Sequence, residues 1–337
     1  MASFAKFGND LYTGARSINF VGRRKLWYAI AGVMILLSVL LPLARGGFVF
    51  GIEFRGGSEF QVAGVADLGQ DGPRADAQTL AADTVTGIDA QASPRVSIVG
   101  GDSVRVQTEQ LLPEESNQVR DALATAFKVD VTSVNASFIG PSWGADITGS
   151  AIRALIVFLA LAAILMALYF RTWKMSVAAI ASLVHDIVIT AGVYGALGFE
   201  ITPSAVIGFL TILGFSLYDT VVVFDKIREN TTEDANSSPR TFAGSVNLAV
   251  NQTLVRSINT GVVAALPVAA ILFIGAVVLG AGTLRDIALS LFIGIIVGTY
   301  STIFIAAPIY SQLRENEPAI LAHSKKLEAS RLLSSGK

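Results

Sequence analysis

The chain has 337 residues and a formal net charge of -1, and it is 52% hydrophobic but only 15% charged. Soluble domains average about 25% charged residues, so this composition predicts a protein with several membrane-spanning helices. The absence of cysteine excludes disulfides and thiolate metal sites, and the two histidines, His185 and His323, are too few for a convincing zinc site.

The hydropathy pattern predicts six membrane-spanning helices. Each apolar stretch reaches the roughly 20 residues needed to cross a bilayer. The first span, residues 26–44, follows a basic segment at residues 1–25, and the others cover residues 149–170, 175–199, 201–224, 257–284 and 287–313. Because the first span is long for a signal-peptide core and Arg45-Gly-Gly is a poor cleavage site, we expect it to be an uncleaved helix.

Lysine and arginine residues concentrate in alternate connections of this predicted bundle. They occur in the N-terminal segment, in the short connection 171–174, in the loop 225–255 and in the tail 314–337. Because basic flanks are retained on the cytoplasmic side, we expect both termini in the cytoplasm and the large loop 45–148 outside. The second half of the basic loop, residues 242–255, is amphipathic, and we expect it to lie along the inner membrane surface.

Residues 45–148 are numerous enough to form a folded domain rather than a linker. Their pattern predicts strands at 54–63, 95–99, 103–107 and 129–138 and helices at 74–85 and 113–127, with a hairpin at Gly100-Gly101-Asp102. The order β-α-β-β-α-β is typical of a ferredoxin-like fold. The predicted fold class is therefore a polytopic α-helical membrane protein with six spans and one extracytoplasmic α+β domain of ferredoxin-like type.

Two glycine-rich segments flank this domain. One interpretation is that they are turns leading into and out of the membrane, with Trp143 anchored at the interface. The other is a hinge, because glycine accommodates changes in φ and ψ. The residues concerned are Gly51, Phe54, Arg55, Gly56 and Gly57 after the first span and Gly140 and Pro141 before the second.

Asp219 interrupts an apolar stretch that begins at Ile201 and ends at Phe224. A carboxylate inside a membrane costs about 2.5–3.5 kcal/mol on insertion scales, so such residues face a partner or a water-filled path. Asp219 is either a structural hydrogen-bonding group or, as we favour, a proton-titrating site. The same helical face carries Gly208, Thr211, Ile212, Phe215, Ser216 and Val223, which predicts contact with other helices.

Arg256, at the predicted cytoplasmic start of the fifth span, is the best candidate for a cation that interacts with Asp219. The fourth span runs inward and the fifth outward, so both residues are predicted in the cytoplasmic third of the bilayer. A long arginine side chain bridges part of a remaining difference in depth. The alternative is an interfacial arginine that satisfies the positive-inside rule.

His185 and Asp186 lie close to the middle of the third span. Because consecutive helical positions differ by about 100°, the two side chains are predicted to point to different neighbours. A structural polar contact and a second proton site are both open interpretations. The sequence contains no Ser-His-Asp spacing and no nucleotide-binding glycine loop, so we expect neither an enzyme nor a resident cofactor.

Several motifs, in order along the chain, resemble the SecD/SecF family of bacterial protein-export membrane proteins. The segment Phe215-Ser-Leu-Tyr-Asp-Thr-Val-Val-Val-Phe-Asp-Lys-Ile-Arg-Glu-Asn230 resembles the fourth-helix signature of the family. Gly51-Ile-Glu-Phe-Arg-Gly-Gly57, Val184-His-Asp-Ile187 and Thr253-Leu-Val-Arg-Ser-Ile-Asn-Thr260 resemble further parts of its pattern. The resemblance covers residues 18–315, and Glu53 stands where many relatives have aspartate.

The resemblance implies a role in Sec-dependent export across the bacterial cytoplasmic membrane. The family is related to the resistance-nodulation-division exporters, and this chain looks like one six-helix half of their bundle. This implies a SecD partner for the other half, the SecYEG channel, preproteins driven by SecA, and YidC and YajC as further candidates. By the same resemblance Asp219 carries a proton, Arg256 modulates it and the domain 45–148 moves. The driving ion is a proton, with sodium as the alternative.

Two other functions stay open from the sequence. A small-molecule proton antiporter of the related exporter superfamily would need a larger outer domain than residues 45–148 to form a substrate pocket. A structural scaffold would stabilise the translocon, and Asp219 would then be only a packing residue.

Overall fold

The computed structural model describes residues 2–65, 74–99, 102–232, 240–278 and 282–335. Within these ranges, six helical segments are long and apolar enough to span a membrane. They are Arg24–Ala44, Ser142–Phe170, Trp173–Leu197, Pro203–Thr231, Phe242–Ile274 and Leu284–Glu315. The predicted polytopic helical fold with six spans is confirmed.

The helices are numbered in chain order. They are α1 (Ala2–Thr13), α2 (Arg24–Ala44), α3 (Ile52–Arg55), α4 (Arg74–Thr86), α5 (Pro113–Phe127), α6 (Pro141–Phe170), α7 (Trp173–Leu197), α8 (Pro203–Thr232), α9 (Phe242–Ala270), α10 (Gly282–Ser301), α11 (Ala307–Glu315) and α12 (Pro318–Ser335). Two wider π-helical turns extend this set: Ile271–Val278 continues α9, and Thr302–Ala306 joins α10 to α11.

The strands are β1 (Val49–Phe50), β2 (Gly57–Val62), β3 (Arg95–Val99), β4 (Ser103–Thr108), β5 (Val134–Ile139) and β6 (Glu200–Ile201). The first and last of these pair in parallel, with Val49 opposite Glu200, and the other four form the sheet of the outer domain. The short β1–β6 pair therefore ties the chain leaving α2 to the chain entering α8.

The helix α7 lies at the centre of the bundle, where it contacts α2, α6, α8 and α10. Glycines permit the closest approaches: a Cβ at Gly192 of α7 would collide with Ser38 of α2, and a Cβ at Gly294 of α10 would collide with Ile212 of α8. Membrane helices associate through such small residues, because lipid supplies no hydrophobic driving force between them. The bundle is thus packed tightly enough to bury polar groups away from lipid.

The prediction of a separate surface helix at residues 242–255 is wrong, because this segment is the first half of the continuous helix α9. Its polar side binds the N-terminal segment instead of the membrane surface. Asn247 Oδ1 accepts the backbone N–H of Phe20 at 2.8 Å, and Asn251 Oδ1 accepts that of Ile18 at 2.8 Å. The apolar side packs into a core that includes Leu11 of α1.

The outer domain has the predicted β-α-β-β-α-β order, and its antiparallel sheet has the strand order β3-β4-β2-β5. This is the arrangement of a ferredoxin-like fold, so that part of the fold class is confirmed. Helices α4 and α5 cover one face of the sheet, and the domain core includes Phe60, Val106, Val85 and Leu123. The hairpin residues 100 and 101 lie outside the described residues.

The first strand of this domain is shorter than the predicted 54–63. Residues 52–55 form the helical turn α3, and β2 begins only at Gly57. Gly56 and Gly57 have positive φ angles of 77° and 143°, which extended backbone of other residues rarely adopts. The two glycines therefore separate the turn from the strand.

Candidate functional site

Asp219 lies on α8 with only 3% of its surface exposed. Ser257 of α9 donates a hydrogen bond of 2.9 Å to its Oδ1. Its Oδ2 is buried and has no hydrogen-bond partner among the described residues. A buried carboxylate oxygen without a partner is costly when charged, so this oxygen is the position where a proton or a water molecule would bind.

A second buried acid lies beside the first. Asp186 of α7 is fully buried, and its Oδ2 accepts a hydrogen bond of 2.6 Å from Ser216 of α8. Ser216 precedes Asp219 by three residues, so both project from one side of α8. The helices α7, α8 and α9 thus carry a row of buried polar side chains across the bundle: Asp186, Ser216, Asp219 and Ser257.

His185 and Asp186 face different neighbours, as predicted: Asp186 binds Ser216 of α8, whereas the ring of His185 lies 6.1 Å from that of Tyr300 of α10. His185 is 4% exposed, and its Nδ1 lies 3.3 Å from Asp186 Oδ1. Because α7 is enclosed on several sides, both residues are buried, and the imidazole reaches its neighbour's carboxylate despite the difference in helical position. The Nε2 atom of His185 is buried and has no partner within the described part of the chain.

The sixth span closes the site. The hydroxyl oxygens of Thr302 and Thr220 lie 3.1 Å apart. Gly298 has no side chain, so α10 comes close to Asp186 and Ser216 at this point. Thr302 begins the π-helical turn Thr302–Ala306. Such turns inside α-helices occur frequently at functional sites, because they change the direction of the side chains that follow.

Arg256 and Asp219 are neighbours but do not form an ion pair. Arg256 is exposed on the outside of α9, while the next residue, Ser257, points inward to the acid. Arg256 is close enough to Asp219 for an electrostatic interaction. Among the described residues, no acidic side chain forms an ion pair with Arg256. Arg256 therefore lies near Asp219 as predicted, but the hydrogen bond to the acid comes from Ser257.

The predicted face of α8 is largely buried, with one exception. Ile212, Ser216 and Val223 are all buried, whereas Thr211 is exposed. Sequence reasoning did not single out Ser257 or Thr302. The available signal for Ser257 was its position within the polar run Asn251-Gln-Thr-Leu-Val-Arg-Ser-Ile-Asn-Thr260, one residue after Arg256.

The glycine motif after the first span lies at the end of the bundle that carries the α+β domain, away from Asp219. Gly51 precedes α3, and Phe54 packs in an apolar cluster with Tyr194 and Ile201. A Cβ at Gly57 would collide with the carbonyl oxygen of Thr108, so only glycine fits there. Arg55 is exposed. These positions meet the requirements of a turn, and the hinge interpretation stays a prediction.

The second glycine segment meets the first. Gly140 precedes α6 and Pro141 is its first residue, so the helix begins before the predicted residue 149. Gly57 pairs with Ile139 across β2 and β5, and a Cβ at Gly144 would lie 2.5 Å from the carbonyl oxygen of Phe54. The chain therefore enters and leaves the outer domain at one place.

No group of three or more His, Cys, Asp or Glu that could hold a metal ion occurs among the described residues. The buried groups around Asp219 are hydroxyls and carboxyls, which exchange protons with each other or with water. The arrangement is suited to holding and releasing a proton inside the bundle.

Residues 118–316 match the family described as protein export membrane protein SecD/SecF, C-terminal. Among curated proteins, the chain is similar to the protein translocase subunit SecF of Streptomyces coelicolor, with 43% identity over 331 residues, which is 98% of this chain and 86% of that protein. It is also similar to the subunit SecF of Mycobacterium leprae, with 40% identity over 99% of this chain and 72% of that protein.

Two solved structures resemble this one. The crystal structure of SecDF, a translocon-associated membrane protein from Thermus thermophilus, superposes with a TM-score of 0.74 at 30% identity. A second structure, of SecDF in a super-membrane-facing form, gives a TM-score of 0.60 at 29% identity. The matches cover 89% and 94% of this chain but only 39% and 40% of those longer chains.

Proposed function

The chain belongs to the SecD/SecF family of protein-export membrane proteins, and from this premise we propose that it is an accessory subunit of the bacterial Sec translocon. Together with a SecD partner, it uses the proton motive force to assist the translocation or release of preproteins across the cytoplasmic membrane. Its relatives are named translocase subunits, which supports a transport role rather than an enzymatic one.

The buried, unpaired Oδ2 of Asp219 is the observation that carries this proposal. A proton on this atom removes a charge that the bundle does not compensate with an ion pair. One elementary charge that crosses the membrane releases about 2.3 kcal/mol per 100 mV, so a few protons shift a two-state equilibrium by several kcal/mol. Protonation of Asp219 then alters the packing of α8 against α9, and the outer domain moves in response. Sodium is the alternative ion for the same site.

The surface beside Asp219 is suited to a SecD partner. Arg256 of α9 and Thr211 and Tyr218 of α8 are polar side chains exposed on the surface of their spans. An exposed arginine at this depth is costly unless an acidic group covers it. In this proposal the complementary half-bundle of SecD supplies that group.

The topology follows from the same proposal. Both termini and the connection 171–174 lie in the cytoplasm, and the domain 45–148 lies outside, where it meets an emerging preprotein. The neighbours in this arrangement are the SecYEG channel, preproteins driven by SecA, and YidC and YajC as further candidates. The basic residues of the inner connections support this orientation.

The test is Asp219→Asn in cells that depend on this protein, with the levels of the variant and of SecD matched to wild type. Asparagine retains an oxygen that accepts the hydrogen bond from Ser257, so the fold is preserved while the titratable group is lost. Asp225→Asn on the exposed side of the same helix is the matched control.

We expect unprocessed preproteins to accumulate with Asp219→Asn and not with Asp225→Asn. Normal export by Asp219→Asn would support the scaffold function instead, because a scaffold needs the packing of α8 but not its proton.

A further inference from the structure

Four acidic side chains surround one arginine where the outer domain meets the membrane bundle. Glu59 of β2 and Arg105 of β4 come from the domain, Glu200 of β6 and Asp286 of α10 come from the bundle, and Glu53 lies between them on α3, which packs against α6 and leads into β2. Arg105 Nε lies 3.6 Å from Glu59 Oε1, and its Nη1 lies 3.7 Å from Glu200 Oε2. Glu53 and Arg105 both lie close enough to Asp286 for electrostatic interaction. We name these five residues the junction cluster.

The pairing inside the junction cluster is incomplete. Gln107 donates to Glu59 at 2.9 Å, and Thr202 donates to Asp286 at 2.8 Å. Glu53 Oε2, Glu200 Oε1 and Arg105 Nε, however, are buried and have no hydrogen-bond partner in the described part of the chain. Charge-assisted hydrogen bonds measure about 2.7–2.9 Å, so the two ion pairs of Arg105 are loose. One arginine does not neutralise this many carboxylates.

The two unpaired carboxylate oxygens approach the same point. A Cβ placed on Gly51 would collide with Glu53 Oε2 and would lie 3.4 Å from Glu200 Oε1. Both carboxyl groups therefore lie against the same glycine. Two carboxylates that share a site do not ionise together without a large cost, because each opposes the charge of the other.

Burial raises the pKa of Glu53, and the nearby acids Glu59 and Asp286 raise it further, while Arg105 opposes them. Burial likewise raises the pKa of Glu200, against the hydrogen bond from Gln107 and the charge of Arg105. The remaining charged group near the cluster is Arg285, which lies beside Asp286 and over the ring of Phe199. Both carboxyls therefore hold protons more readily in this contact than in water.

We infer that the junction cluster is an acid-stabilised latch between the outer domain and the bundle. With protons on Glu53 and Glu200 the domain stays docked, and loss of these protons leaves several negative charges around Arg105 and releases the domain. The docked state binds more protons than the released state, in which the carboxyls are hydrated. Docking is therefore favoured at low pH and is lost as the pH rises through the docked-state values.

This inference deepens the proposed function, because it gives the protons of the outer compartment a direct effect on the position of the moving domain. It is measured without export and without a membrane potential. Its failure can thus be told apart from a failure of the proposed function, which depends on Asp219.

The experiment uses the full chain in lipid nanodiscs. The protein contains no cysteine, so cysteines introduced at Gln118 of α5 and Leu197 of α7, both exposed, are its only labelling sites. Spin labels on this pair report the distance between the outer domain and the bundle by pulsed electron paramagnetic resonance between pH 5 and pH 8. We expect the ratio of docked to released molecules to fall by up to about tenfold per pH unit for each proton lost.

Three variants decide the outcome. Glu53→Gln with Glu200→Gln mimics the protonated pair and should stay docked at every pH, whereas Glu114→Gln, an exposed glutamate on the same domain, should behave as wild type. Arg105→Gln should have the opposite effect to the double variant, because it removes the positive charge that opposes the carboxylates of the docked state. We therefore expect this variant to release the domain at a lower pH than wild type. A distance that does not depend on pH in wild type, or a double variant with the wild-type dependence, would overturn the latch.

Discussion

Ser257 of α9 and Asp219 of α8 are joined by a hydrogen bond of 2.9 Å, while Arg256, one residue earlier, points to the outside of the bundle. Ser257 therefore binds Asp219, whereas Arg256 is available for contact with a partner protein. Binding of Asp219 and contact with a partner thus belong to two residues, whereas a direct Asp219–Arg256 ion pair would have used Arg256 for both.

The Ser257–Asp219 bond should stabilise the contact between α8 and α9. We expect a double-mutant cycle with Ser257→Ala and Asp219→Ala, both of which remove the bond, to give a coupling energy between about 0.6 and about 2 kcal/mol, the range found for interhelical hydrogen bonds in membranes. The measurement is reversible unfolding in mixed micelles. A coupling energy of zero would mean that the bond contributes nothing to the packing of the two helices.

Arg256→Gln should weaken the association with SecD and leave the fold of this chain intact. The reason is that Arg256 is exposed and forms no ion pair with any described residue of its own chain. We expect reduced co-purification of SecD at an unchanged melting temperature. Arg153→Gln, which removes an exposed charge from α6, is the control and should retain SecD. Equal retention by both variants would exclude the proposed partner surface.

Gly294→Ala should destabilise the bundle because its new Cβ would collide with Ile212 of α8. Overpacking of this kind costs about 1–3 kcal/mol. Gly32→Ala on α2 is the matched control, since nothing lies within 4 Å of the added atom. Thermal unfolding in detergent should show a lower midpoint for Gly294→Ala alone. Identical midpoints would show that α8 and α10 separate easily.

Glu317 should stabilise the contact between the start of α7 and the end of α11 in a pH-dependent manner. It accepts hydrogen bonds from Arg314 at 3.0 and 3.1 Å and from Lys174 at 2.8 Å. Arg314 and then Lys174 lower the pKa of Glu317 below its ordinary value of 4.5. The stabilisation is therefore present above the unfolded-state pKa and is lost as the pH falls through the folded-state pKa.

Glu317→Gln should accordingly lower the melting temperature at pH 7, and the difference from wild type should shrink as the pH is lowered from 7 through the folded-state pKa. Melting curves of both proteins across this range provide the measurement, with Glu114→Gln as a surface control. A difference between Glu317→Gln and wild type that persists unchanged at low pH would assign the effect to packing rather than to charge.

Local patterns determined the elements of this protein. The helix predicted at 113–127 coincides with α5, and the strands predicted at 95–99 and 103–107 match β3 and, within one residue, β4. Such elements depend on the spacing of apolar residues, glycine and proline over a few positions. The cost of exposing polar residues to lipid likewise depends on composition alone, which is why the six spans could be predicted.

The partners of individual side chains were decided by tertiary structure. Sequence reasoning placed Arg256 near Asp219 but did not identify Ser257 as the hydrogen-bond partner of this acid, because the rotation of each helix was unknown. That rotation is set by contacts far apart in sequence, such as Gly294 against Ile212.

The contacts within the junction cluster are a further example of partners that the sequence alone does not predict. Glu53 and Glu200 belong to distant segments, and only the pairing of β1 with β6 and the docking of the outer domain bring them together. The sequence by itself therefore determined a six-span membrane protein with a ferredoxin-like domain and a buried acid. The three-dimensional packing decided which hydroxyl holds that acid and which acids meet at the junction, because side-chain contacts depend on non-local geometry.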